Sequence, residues 1–206
     1  MVAVTKLRSS SELRTAGWLI FAFSTQFAIA MMIAESIYPG YSVSKNYISD
    51  LGVGSTAPLF DTSIAILGIA VIASSYFLYR GFGSRLLSIL TASTGLWALM
   101  VGIFNESSFT AIHNLVSLLT FVSGGLTAIV AFRFQKSPMN FFSTILGVLS
   151  LAALAISIVE PSGLALGVGG IERLIVYPFL LWGIGFGGYL VGYSGSRTTL
   201  SEPRGS

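Results

Sequence analysis

The sequence predicts an all-α polytopic membrane protein: six transmembrane helices in one bundle, with a short interfacial helix in the first outer loop. Three observations carry this. Charged residues make up only 9% of the 206 residues, whereas soluble domains carry about 25%. The mean hydropathy is +0.82. A single soluble core of this size cannot hide so much apolar surface, so lipid must solvate much of it. The apolar residues also fall into six blocks of about 20 residues, enough at about 1.5 Å rise per residue to cross a core of about 30 Å. Barrel strands are shorter and alternate polar with apolar, which these blocks do not.

The six spans are expected at 13–34, 58–79, 85–104, 110–132, 138–159 and 171–191. They form a transmembrane domain over 13–193, between a cytoplasmic N-terminal segment (1–12) and a disordered cytoplasmic tail (194–206), which is polar and rich in glycine and serine. Ser9-Ser10-Ser11-Glu12 fits a capping box before the first span. That span is longer than a secretory-signal core and no small-x-small cleavage site follows, so it is expected to remain as a helix. Thr56 is placed to cap the second helix, with Pro58 in its first turn. Ser137-Pro138 repeats the signal for the fifth helix, and Glu160-Pro161 ends it. Gly169-Gly170 separates it from the sixth, which Pro178 is expected to kink.

Lysine and arginine set the orientation. Lys6, Arg8, Arg14, Arg80, Arg85, Arg133, Lys136, Arg197 and Arg204 fall on one side, and only Lys45 and Arg173 on the other. The positive-inside rule therefore places both termini in the cytoplasm of a cell-membrane protein. The pI of about 9.3 is explained by these loops, and nucleic acid is not expected as a partner. Most acidic residues lie on the opposite side: Glu35, Asp50, Asp61, Glu106, Glu160 and Glu172, together with Asn105 and His113. Nearly all chemistry-bearing side chains thus share one outer face.

Within the first outer loop, Ser44–Gly52 reads as a short helix, capped by Ser44 and ended by Gly52. Asn46 and Asp50 are four apart and share an edge. Tyr38, Tyr41 and Tyr47 suit the aromatic belt at the headgroups. Asn105-Glu106-Ser107 is formally a glycosylation sequon, placed too close to a span for easy use. Glu106 is a carboxylate at the mouth of the bundle, one short loop before His113. His113 is the only histidine and cysteine is absent. Histidine-rich zinc sites, bis-histidine haem and thiolate chemistry are therefore excluded for this chain, and neither a metal nor a cofactor is expected. His113 is either a hydrogen-bonded structural residue or a base paired with Asp50, Glu106 or Glu172. Glu172 suits the start of the sixth helix. Arg173 either pairs with Glu160, Glu106 or Asp50, or captures an anionic lipid phosphate.

Other classes lose ground. No strand precedes the glycines at 163, 167, 169 and 170, so they do not form a nucleotide loop. Gly124, Gly125, Gly183, Gly187 and Gly188 permit close helix packing, or contact with another subunit. No charge lies mid-span, and no inverted repeat is evident, which disfavours ion translocation.

The segments "YPGYSVSKNYISDLG", "HNLVSLLTF" and "GGIERLIVYPFLLWGIGFGGYL" together resemble the prokaryotic membrane family known as domain of unknown function 998. That resemblance implies a six-helix bundle and no established activity. A fainter similarity is to DRAM/Frag-like six-span proteins. It rests on Tyr47-Ile48-Ser49-Asp50, Gly52, Pro58 and Phe60, and implies membrane-lipid handling.

Three functions follow as expectations. The first is a non-catalytic protein binding a lipid headgroup or small amphiphile through Asn46, Asp50, Glu106, His113, Glu172 and Arg173, with membrane lipids as partners. The second is an accessory subunit of a larger membrane complex, for example a respiratory one, with partner subunits on its glycine-rich faces. The third is a membrane-embedded lipid hydrolase or transferase using His113, Asp50 and Glu106.

Overall fold

The computed structural model describes residues 9–198. Six long helices account for most of them: α1 (Ser10–Ile37), α2 (Ala57–Phe82), α3 (Arg85–Ile103), α4 (Glu106–Ala131), α5 (Met139–Val159) and α6 (Gly167–Thr198). All six are long and apolar enough to cross a membrane. Each packs on its neighbour in chain order, and α1 also packs on α6, so the six close into a ring. One end carries the acidic residues and the first interhelical loop; the other carries most of the lysine and arginine.

The helix ends follow local chemistry. Ser9 Oγ accepts the Glu12 N–H, the expected N-terminal cap of α1. Gly83 ends α2 in the left-handed conformation at φ 70°, which favours glycine. Ser84 Oγ then caps α3 through the Leu87 N–H at 3.2 Å. Thr56 precedes α2 but does not cap it. Its hydroxyl instead donates to the Leu51 carbonyl at 2.8 Å, tying the loop to the helix start. Pro138 stands just before α5 without a side-chain cap. α6 runs on to Thr198, beyond the expected end at 191 and into the segment expected to be disordered. No proline stops the helix there. The rest of the expected tail, 199–206, lies outside the described residues, as does the N-terminal segment up to 8.

The first loop differs from expectation. In place of a helix over Ser44–Gly52 it has a turn at 43–46 and two 3₁₀ turns, Ser49–Gly52 and Gly54–Thr56. The Asp50 carboxylate accepts the Tyr47 N–H at 3.1 Å. An Asp side chain that binds nearby backbone in this way competes with α-helical pairing.

Glycine pairs set how closely the ring closes. A Cβ on Gly17 would stand 2.7 Å from the Gly187 carbonyl oxygen, joining α1 to α6. One on Gly68 would stand 2.6 Å from the Gly95 carbonyl, between α2 and α3. One on Gly147 would stand 2.7 Å from the Gly125 carbonyl, between α4 and α5. Backbones can approach this closely only where side chains are absent. Pro178 lies inside the continuous α6, and it cannot donate to the preceding turn. Nearby, the Ser150 hydroxyl of α5 donates to the Ile175 carbonyl at 2.7 Å, tying α5 to α6.

Two apolar clusters fill the ring. Phe27, Met31, Leu51, Phe60, Val116 and Leu180 pack at the acidic half. Leu13, Ile20, Leu78, Leu87, Phe186 and Leu190 pack at the basic half.

Candidate functional site: a polar mouth over an apolar axis

The acidic end is built by laying the first loop across the start of α6. Gly169 makes this possible: a Cβ there would lie 2.1 Å from the Asn46 carbonyl oxygen and 2.5 Å from that of Val43. At Gly167 a Cβ would meet the Ser44 carbonyl at 2.2 Å. The Gly169 N–H donates to the Ser44 carbonyl at 3.1 Å. These glycines are therefore a seat for another chain segment.

Arg173 secures the loop from below. It is only 6% exposed. Its Nη1 donates to the carbonyls of Val43 (3.0 Å), Asn46 (3.2 Å) and Gly169 (2.8 Å). Its Nη2 donates to Glu35 Oε1 at 2.5 Å and to the Tyr41 hydroxyl at 2.6 Å. That hydroxyl passes the bond on to the Tyr47 carbonyl at 3.0 Å. Burial pushes the Tyr41 phenol up to about 12, against the opposing pull of Arg173. It therefore stays protonated, and a donor, at any physiological pH. The ion-pair partner of Arg173 is Glu35, not Glu160, Glu106 or Asp50. Glu35 ends α1, and ring closure brings it beside α6, which spacing along the chain does not reveal.

Asn46 and Asp50 do share an edge, and they use it on each other. Asn46 Nδ2 donates to Asp50 Oδ2 at 2.8 Å, and Asn46 Oδ1 accepts the Ser42 N–H at 3.0 Å. Neither residue lines the axial cavity or the one at the mouth. Glu172 does: its Oε2 accepts the Ile48 N–H, so one carboxylate oxygen anchors the loop.

Two cavities meet beneath this loop. The axial one, of about 100 Å³, runs down the ring between Phe27, Phe60, Leu67, Phe179 and Phe186, with Trp182 toward the basic end. The second, of about 250 Å³, opens at the acidic end between α4, α5 and α6, where Glu106, Asn114, Ser157 and Tyr47 line it. Ser49, His113, Ser117, Phe121 and Glu172 line both. These shared residues form the floor of a polar mouth and the roof of an apolar chamber.

His113 is 4% exposed. Its Nδ1 stands 2.8 Å from the Phe104 carbonyl oxygen. A carbonyl only accepts, so Nδ1 carries a proton. The break in α4 at Phe109 (φ −142°, ψ 48°) separates the Glu106 turn from the His113 turn. Glu106 Oε2 is buried without a hydrogen-bond partner. Asp61, inside the start of α2, takes a hydrogen bond from Asn105.

Of the residues read from sequence, the structure thus gathers Glu106, His113 and Glu172 around one opening. It places Arg173, Asn46 and Asp50 in the scaffold of the loop above. Sequence reasoning missed Ser49, Ser117 and Phe121. Ser117 follows His113 by four residues, so it shares that helix face, and this signal was available. No group of three or more His, Cys, Asp or Glu able to hold a metal occurs among the described residues.

Fold and site together define a six-span helical membrane protein with a polar mouth at one end. The chain belongs to the family described as "Protein of unknown function (DUF998)", whose model matches residues 8–189. No curated protein and no solved structure matches it. The likeness to DRAM/Frag-like proteins stays confined to the stretch from Tyr47 to Phe60 and carries no argument.

Proposed function

We propose that this is a non-catalytic binding protein of the membrane. It takes the apolar end of a lipid or small amphiphile into the axial cavity and its polar end at the mouth. One observation carries this reading: an apolar chamber and a polar opening share a wall made by Ser49, His113, Ser117, Phe121 and Glu172. Ligand sites are typically apolar cavities with a few converging polar groups. The mouth faces outward from a cell membrane with both termini cytoplasmic, a reading supported by the lysine and arginine asymmetry.

Catalysis by His113 has less support. A carbonyl, rather than Asp50, Glu106 or Glu172, orients its ring, and Asp50 lines neither cavity. As for an accessory subunit, the exposed apolar face of α5, with Phe141, Ile145, Val148 and Ile158, suits lipid as well as it suits a partner.

Native mass spectrometry from a gentle detergent tests the proposal. A retained adduct of lipid mass on the monomer supports it. A bare monomer overturns it, and stoichiometric partner chains support the subunit reading in its place.

A further inference from the structure

We infer that the polar group taken at the mouth is a cationic amine and not a phosphate; this rests on the binding function proposed above. Glu106 and Glu172 both line the mouth. Among the described residues, no lysine or arginine lines either cavity. The nearest cation is Arg173. Its two terminal nitrogens are occupied by Glu35, Tyr41 and three carbonyls, and Glu35 at 2.5 Å balances its charge. It has no fork left to offer a phosphate.

What the mouth does offer is acceptors. Glu106 Oε2 is buried and unpartnered. Glu172 spends Oε2 on the Ile48 N–H, and among the described residues no hydrogen bond to its Oε1 is seen. His113, almost wholly buried, spends Nδ1 on Phe104 and lines both cavities. Two carboxylates on two helices share the mouth with the hydroxyls and amide of Tyr47, Ser49, Asn114, Ser117 and Ser157, none of which carries a balancing charge. Buried carboxylates at the edge of lipid are costly unless paired. A protonated amine supplies up to three donors and the missing charge on a compact head. A phosphate adds acceptors and repulsion. The apolar chamber below then requires that the amine carry an alkyl chain, whether it belongs to a phosphate-free amino lipid or is a free alkylamine.

The test is native mass spectrometry of the intact protein in non-ionic detergent, titrated separately with octylamine, octanol, octyl phosphate and propylamine. Octylamine should be retained, and octanol and octyl phosphate should be retained at least about tenfold more weakly, the scale of a lost charged hydrogen bond. Glu172→Gln keeps an oxygen for the Ile48 N–H, so the loop should stay seated, and Glu106→Gln lies away from that anchor. Each should weaken octylamine by about tenfold and leave octanol unchanged. Retention of propylamine equal to that of octylamine removes the chain requirement and overturns the amphiphile. If octyl phosphate or octanol binds as well as octylamine, the amine assignment fails while amphiphile binding stands. If no octyl compound is retained, both fail.

Discussion

Arg173 Nη2 stands 2.5 Å from Glu35 Oε1, joining the start of α6 to the end of α1 across the seam that closes the ring. The pair is nearly buried, with side-chain exposures of 7% and 18%, and Arg173 also holds three loop carbonyls. Removing one partner of a buried pair leaves an uncompensated charge. Arg173→Leu should therefore lower stability by about 3–5 kcal/mol in detergent unfolding. Arg173→Lys keeps the charge but loses the fork, and should recover only part of this. An unchanged unfolding midpoint in Arg173→Leu would contradict the role given to this residue.

Gly169 tests the seating of the loop. Its missing Cβ leaves room for the Asn46 carbonyl, 2.1 Å from where that atom would be. Gly169→Ala should lift the first loop from α6 and open it to protease between 38 and 56. If the cleavage rate stays at the wild-type level, the loop is not seated there.

The α1–α6 seam makes a separate prediction. A Cβ at Gly187 would lie 2.5 Å from the Phe21 nitrogen, so Gly187→Val should cost about 1–3 kcal/mol through overpacking. Gly185, on the same helix, has only Met139 Cε within reach, at 3.6 Å. Gly185→Ala should be near neutral. Equal effects at the two positions would show that the seam is not closed by backbone contact.

Orientation is checked with single cysteines in a chain that has none. Lys45→Cys and Lys136→Cys are both exposed, at opposite ends of the bundle. In intact cells, an impermeant thiol reagent should label the first and spare the second. Labelling of both, or of the second alone, contradicts the orientation.

Much of the fold was legible because lipid imposes simple rules. Span length, proline and glycine punctuation and the Lys/Arg asymmetry each report a local cost, and Glu160-Pro161 ended α5 where expected. The ring was not legible. Nothing local tells Glu35 that it will face Arg173, or Gly17 that it will meet Gly187, since each contact joins residues more than 130 positions apart. The site was half legible for the same reason. Glu106, His113 and Glu172 stood out as polar residues near helix ends and proved to share an opening. Asn46 and Asp50 looked alike from sequence, but their donors and acceptors were already satisfied within the loop. Ser117, a hydroxyl in an apolar run, gave little contrast.

The central claim is that the mouth and the axial chamber form one ligand site. Ser117 lies in the wall common to both, so Ser117→Phe should fill the space where they adjoin without touching the loop anchors. The decisive measurement is the lipid mass retained by purified wild-type and Ser117→Phe protein in native mass spectrometry. Retention in the wild type and its loss in a folded Ser117→Phe protein is the predicted result. Equal retention in both, or none in the wild type, would contradict a shared site.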